Sequence, residues 1–314
     1  MNPEEIIVRN CMGLKGNEKC LVVTDNNNLK IATDIFEAAK DICSAELLQI
    51  PVGKANGEEP PKDCAEKMLG FQVIICVTTK SLTHTEARKN ATLNNARIAT
   101  MAGMTEEIFQ RAINVDYSKL HKVTNWVADV LDEGSSVRIV TEKGTDLLLD
   151  ISNRIAYGRN AGTYTKPGSF GNLPSGEAFI APLEGKAQGI FVVDESFAGV
   201  GKLDAPVKIT VKNGFAKEII GGKEADALNI LLRETHDNNA FNIAELGIGT
   251  NDKAKVSGIT LEDEKVLGTC HIALGKNSGF GGNVCVPLHL DGVIGYPDIL
   301  VDGTQIMKKG ELLR

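Results

Sequence analysis

A chain of 314 residues can bury one large domain or two ordinary ones, and 42% hydrophobic with 24% charged residues is the composition of a globular rather than a disordered protein. A net charge of −7 with no Lys/Arg stripe argues against a general nucleic-acid binder. No apolar run reaches bilayer length, and MNPEEIIVRNC carries acid where a secretory leader carries base, so a cytoplasmic protein without membrane partners is expected. The seven cysteines show no CxxC spacing and read as reduced thiols.

Along the chain, the first third alternates strand and helix. KCLVVTD (19–25) is a short β-branched run, and IATDIFEAAKDIC (31–43) has apolar residues at a helical period. A further strand is expected at 45–50, then a Gly/Pro loop over 51–62. FQVIICVTT (71–79) is nearly all apolar, which a strand tolerates only when both faces are covered. Residues 84–96 form a polar helix capped by Thr83 or Thr85, 97–103 a strand, and 105–116 a helix opened by Thr105. This alternation predicts parallel βαβ units in an open α/β domain, with no GxGxxG to mark a dinucleotide site.

The character changes after a helix around 118–132. Residues 135–152 read as a hairpin on Lys143-Gly144, and 157–176 as a long Gly/Pro loop. Strands follow at 178–182, 187–193 and 206–212, the last leaving through Lys212-Asn213-Gly214. One clear helix spans 223–236, and a hairpin on Asp302-Gly303 ends the chain. The expected division is an α/β domain over 1–130, its sheet largely parallel, and a β-rich α+β catalytic domain over 131–314.

Two of the five histidines lie within CHIALGKNSGFGGNVCVPLHLD (270–291). If VPLHLDGV is a strand, His289 and Asp291 point to one face, an imidazole beside a carboxylate, which suits Zn, Mn, Fe or Co. His271 begins an apolar run, and the glycine-rich connection between the histidines could fold back. Glu245 sits in FNIAELGIGTN, where a carboxylate is costly unless paired, to an arginine such as Arg154 or Arg233, or metal-bound. Glu177 follows a Gly/Pro loop at the threshold of an apolar strand. Glu184, in PLEGKAQG, reads as a turn residue or a general base. Together Glu177, Glu245, His271, His289 and Asp291 offer three carboxylates and two imidazoles, whose charge two divalent ions would balance and one would not.

LPSGEAFIAPLEGKAQG, AELGIGTN, CHIALG and HLD, in that order, resemble the metallo-aminopeptidase family typified by aminopeptidase T and aminopeptidase S. HTEARKNATLNNARIATMAGMTEEIF resembles the N-terminal half of the same superfamily. The resemblance implies a homodimer and a two-metal centre (Zn, Co or Mn) with Glu177, Glu245, His271, His289 and Asp291 as ligands. Glu177 or Glu184 would accept the proton of a water attacking the N-terminal bond of a peptide. The family's tyrosine has no counterpart in KNSGFGG; Tyr157, Tyr164 and Tyr296 are the alternatives. Iron-dependent 2,5-dihydroxypyridine dioxygenases share this superfamily, and His271, His289 and Asp291 could hold one Fe(II) with open positions for a small-molecule substrate. A non-catalytic metal-binding protein is the third reading.

Overall fold

The computed structural model describes all 314 residues. The chain divides into two compact units, one of Met1–Tyr117 with Asn160–Ser175, the other of Ser118–Arg159 with Gly176–Arg314. The expected boundary at 130 falls inside the helix Tyr117–Glu133. Residues 160–175, which read as loop, return to the first unit because Phe170–Asn172 adds a strand to its sheet.

That sheet has five parallel strands in the order 44–49, 19–24, 73–77, 97–100, 170–172. Leu21, Val23, Ile74, Cys76 and Ile98 alternate onto one face, against Cys64 and Met68 of one helix and Ala87 and Ala91 of the next. The second of these helices, Glu86–Leu93, starts on Thr85, whose hydroxyl accepts from Arg88 N–H at 3.2 Å. Thr105 does the same for Glu106–Ala112, accepting from Ile108 N–H.

The second unit is antiparallel. One sheet has eight strands, in the order 215–220, 207–212, 188–193, 146–150, 136–140, 298–301, 304–308, 311–312. The other has six, in the order 201–202, 196–197, 289–295, 269–275, 243–249, 177–180. Asn213 and Gly214 both adopt left-handed φ, 52° and 74°, as the tight turn between 207–212 and 215–220 requires. Leu147, Leu149, Phe191 and Val193 of the larger sheet share one core with Leu246, Ile248, Cys270, Ile272 and Ile294 of the smaller. Val127 and Leu131 of Tyr117–Glu133 and Leu228 and Leu232 of Gly222–Glu234 close that core. The fold is therefore mixed α/β, as expected, and no helix is long and apolar enough to cross a membrane.

Candidate metal centre

Strand alternation builds the site. Because Leu246, Ile248, Cys270, Ile272, Leu274 and Ile294 turn into the core, Glu245, Gly247, His271, Ala273, His289 and Asp291 face the other way. Register then fixes the neighbours. Ala273 stands opposite both Glu245 and Asp291, His271 opposite Gly247, and Glu177 opposite Gly249. The small residues between the functional ones leave room for side chains to converge. At Gly247 the requirement is strict, since a Cβ there would lie 2.0 Å from His271 Nε2.

All five residues expected as ligands meet in this unit. His271 Nε2 lies 3.2 Å from Glu245 Oε1 and 3.7 Å from Glu177 Oε2. His289 Nε2 lies 3.4 Å from Glu245 Oε2 and 3.2 Å from Asp291 Oδ1. Glu245 is thus held by two imidazoles and by neither Arg154 nor Arg233. Ligand atoms of Glu245, His271 and Asp291 all fall within 4.8 Å of one another.

The donor set fits a cation. His289 Nδ1 is 2.7 Å from the Lys276 carbonyl, which can only accept, so Nδ1 carries a hydrogen and a neutral ring turns its Nε2 lone pair toward two carboxylates. Acceptors facing acceptors in a buried site need a positive charge between them. Asp291 Oδ1 and Glu177 Oε2 are buried without a hydrogen-bond partner, as is His271 Nδ1 on the far side of its ring.

Without a metal, protons fill that role. Burial disfavours the imidazolium of His271, yet the hydrogen bond to Glu245 and the charge of Asp291 outweigh it and raise the group to about 9. His289 rises to about 10 against the same burial, chiefly through Asp291. Asp291 is itself held well below the carboxylate range, the two imidazoles overcoming its burial, whereas burial raises Glu245. Raised histidine values stabilise the metal-free fold fully below the ordinary value of 6.5, and that contribution is lost as pH rises through 9 to 10. The depressed Asp291 acts oppositely, its contribution being present above 3.8 and lost in acid. Urea denaturation of metal-free protein is therefore expected to show stability falling between pH 6.5 and 10. Metal uptake at pH 7 is expected to release protons, measurable by titration calorimetry in buffers of different ionisation enthalpy.

Lys265 and Glu264 carry no sequence signal, because LEDEKVLG reads as a solvated helix end. Lys265 is nonetheless buried, its Nζ 2.6 Å from Glu177 Oε1 and 2.6 Å from Glu264 Oε1. Burial opposes the ammonium, but these two carboxylates more than compensate and raise it above the ordinary lysine range. Burial likewise drives Glu264 up to about 8, against the pull of Lys265.

Glu184, expected as a turn residue or proton acceptor, serves as a loop anchor. It pairs with Arg154 and accepts from Asn277 Nδ2 at 3.0 Å and from Asn283 N–H at 2.8 Å. Despite burial, these donors, the Asn283 N–H first, keep its carboxyl below the usual range and its lone pairs engaged. The loop between the two histidine strands folds around buried Asn277, whose Oδ1 accepts from Val284 N–H and whose carbonyl accepts from Phe280 and Gly282 N–H. This seats Phe280 edge-on to the His289 ring, with centroids 5.7 Å apart, and against Phe179 at 5.5 Å. Tyr157 stacks on Phe179 at 5.6 Å and is the tyrosine of this aromatic group. Tyr296 is exposed, and Tyr164 is buried in the first unit, donating to the Asn172 carbonyl. Asn277→Ala is expected to leave the half-buried Val284 N–H without its partner and to cost about 1 kcal/mol, the net worth of one hydrogen bond. Faster proteolysis confined to 276–288 would check it.

An antiparallel sheet carrying an imidazole–carboxylate cluster beside an aromatic group, in a chain that also holds a parallel α/β unit, has the make-up of a candidate metalloenzyme. The sequence model of the family described as NicX: 2,5-dihydroxypyridine 5,6-dioxygenase matches residues 8–314. The chain belongs to that family. It is 23% identical over 256 residues to the 2,5-dihydroxypyridine 5,6-dioxygenase of Pseudomonas putida KT2440, covering 76% of this chain and 71% of that protein. The solved structure of 2,5-dihydroxypyridine dioxygenase from P. putida KT2440 superimposes with a TM-score of 0.84 at 18% identity, over 99% of this chain and 96% of that one. Wild-type AmpT from Thermus thermophilus superimposes with a TM-score of 0.73 at 19% identity, over 99% and 98%. The family match overturns the expected metallo-aminopeptidase. What the chain shares with AmpT is the fold. The enzyme is of the dioxygenase family, and hydrolase and protease do not describe it.

Proposed function

We propose that the protein is a non-haem Fe(II) dioxygenase that opens the ring of a dihydroxylated pyridine. The carrying observation is the set of contacts at 3.2–3.4 Å that joins two imidazoles to Glu245 and Asp291, with a ring nitrogen lone pair aimed at two carboxylates. His271, His289 and Asp291 would hold one iron as the two-histidine, one-carboxylate set. Bound Fe(II) supplies open positions and the one-electron chemistry that O₂ requires. The Lys276 carbonyl orients His289 through Nδ1, which keeps Nε2 available as a ligand. Glu245, raised by burial and lying between the imidazoles, is placed to take a proton from a substrate hydroxyl at Oε1 or Oε2. Tyr157, Phe179 and Phe280 offer an aromatic surface beside His289, matched to a flat heteroaromatic ring and able to exclude water.

Protein loaded anaerobically with Fe(II) is expected to consume O₂ when 2,5-dihydroxypyridine is added, with loss of the aromatic absorbance in step. Iron-loaded protein that takes up no O₂ with that ring or its positional isomers would overturn the reading.

A further inference from the structure

Beside the centre just described lies a second group of converging ligand atoms, those of Glu177, Glu264 and His271, all within 4.8 Å of one another. His271 Nε2 is the ligand given to the first ion, so a second divalent ion would rest on the carboxylates of Glu177 and Glu264, with water completing its shell. That pair already holds a cation. Lys265 Nζ sits 2.6 Å from an oxygen of each glutamate, with its side chain 2% exposed. An amine in that position blocks the approach of a metal to Glu177 Oε1 and Glu264 Oε1.

We propose that Lys265 fixes the number of metal ions at one by occupying, as an ammonium, the place a second ion would take beside Glu177 and Glu264. The inference rests on the metal centre proposed above. Charge agrees with geometry. Glu177, Glu245, Glu264 and Asp291 carry four negative charges, which two divalent ions would balance once the lysine is gone, whereas Lys265 with one ion supplies three positive charges. Lys265 is on this account a positioning residue. It holds Glu177 turned toward itself and leaves the iron's remaining positions to substrate and O₂.

The test counts ions by titrating metal-free protein with Mn²⁺, following uptake by calorimetry and spin coupling by electron paramagnetic resonance. Wild type is expected to bind one Mn²⁺ per chain with an uncoupled spectrum, and folded Lys265→Ala to bind two with a coupled one. Lys265→Arg, which keeps the charge, is expected to bind one. Two ions in wild type, or one in folded Lys265→Ala, would overturn the role of the lysine alone. No ion in wild type would overturn the metal centre beneath it. Should Lys265→Ala not fold, Lys265→Gln combined with Glu264→Gln removes one charge of each sign. That variant also lacks the Glu264 ligand and is expected to bind one ion, so the deciding fallback is Lys265→Ser, which removes the amine, keeps both glutamates and is expected to bind two ions; finding one would overturn the proposal.

Discussion

Replacing His289 by asparagine is expected to abolish iron uptake and ring opening together while leaving the fold intact. The asparagine amide can still donate to the Lys276 carbonyl as Nδ1 does now, so the loop at 276 keeps its tether. What disappears is Nε2, the atom that faces Glu245 and Asp291. Loss of a direct ligand should exceed the roughly 100-fold that losing a ring-orienting partner costs in metal affinity. His289 is half-buried at the start of its strand, so the cavity left is small. Iron content after gel filtration, circular dichroism and O₂ uptake check the three parts separately. Full iron occupancy in the variant would remove His289 from the ligand set. Partial return of activity with added imidazole would confirm that a ligand, and not the fold, was lost.

Gly247→Ala is expected to be nearly as severe, although residue 247 touches no metal. The new Cβ would meet His271 Nε2 at 2.0 Å and Cε1 at 2.1 Å, and the imidazole is fully buried. Either the ring leaves its rotamer or the strands Ile243–Gly249 and Thr269–Gly275 separate. Overpacking of this kind costs about 1–3 kcal/mol and takes the Nε2 ligand out of line. The measurement is a melting curve with and without Fe(II). The variant should melt lower than wild type and gain little from iron, whereas wild type gains in proportion to its affinity. A Gly247→Ala protein with the iron-dependent shift of wild type would show that His271 has another way to reach the metal.

The parts of the site that could be read from the chain are those set by strand alternation. His289 and Asp291 two apart, and Glu245 in an apolar run, identify a face before any coordinates exist, because a strand repeats every second residue. Gly247 and Gly249, two and four positions beyond Glu245, share that face, and their lack of side chains was a signal of space that could have been used. Lys265 was illegible because its partners lie 88 residues upstream and immediately before it, and LEDEK looks solvated. The charge sum behind the expected two ions ran over the acids without this buried cation among them. The turn Lys212-Asn213-Gly214 and the caps Thr85 and Thr105 were legible because their chemistry is local. The strand Phe170–Asn172 was not, being only three residues long and paired with residues more than seventy positions away. The reaction class was illegible for a different reason. Acids and imidazoles specify a cation, while hydrolysis or oxygen chemistry depends on which metal binds and what occupies its remaining positions.

The return of residues 160–175 to the first unit bears on how the polypeptide is made. A ribosome that has released only the stretch through Tyr117 has supplied four of the five parallel strands, and the hydrogen-bonding groups along Arg97–Thr100 stay open on one side until Phe170–Asn172 emerges. Between those two events residues 118–159 emerge, ahead of the rest of the unit to which they belong. Fragments cut at residue 130 should therefore precipitate or bind chaperones, and a usable N-terminal piece for biophysics would need 160–175 grafted directly after residue 117.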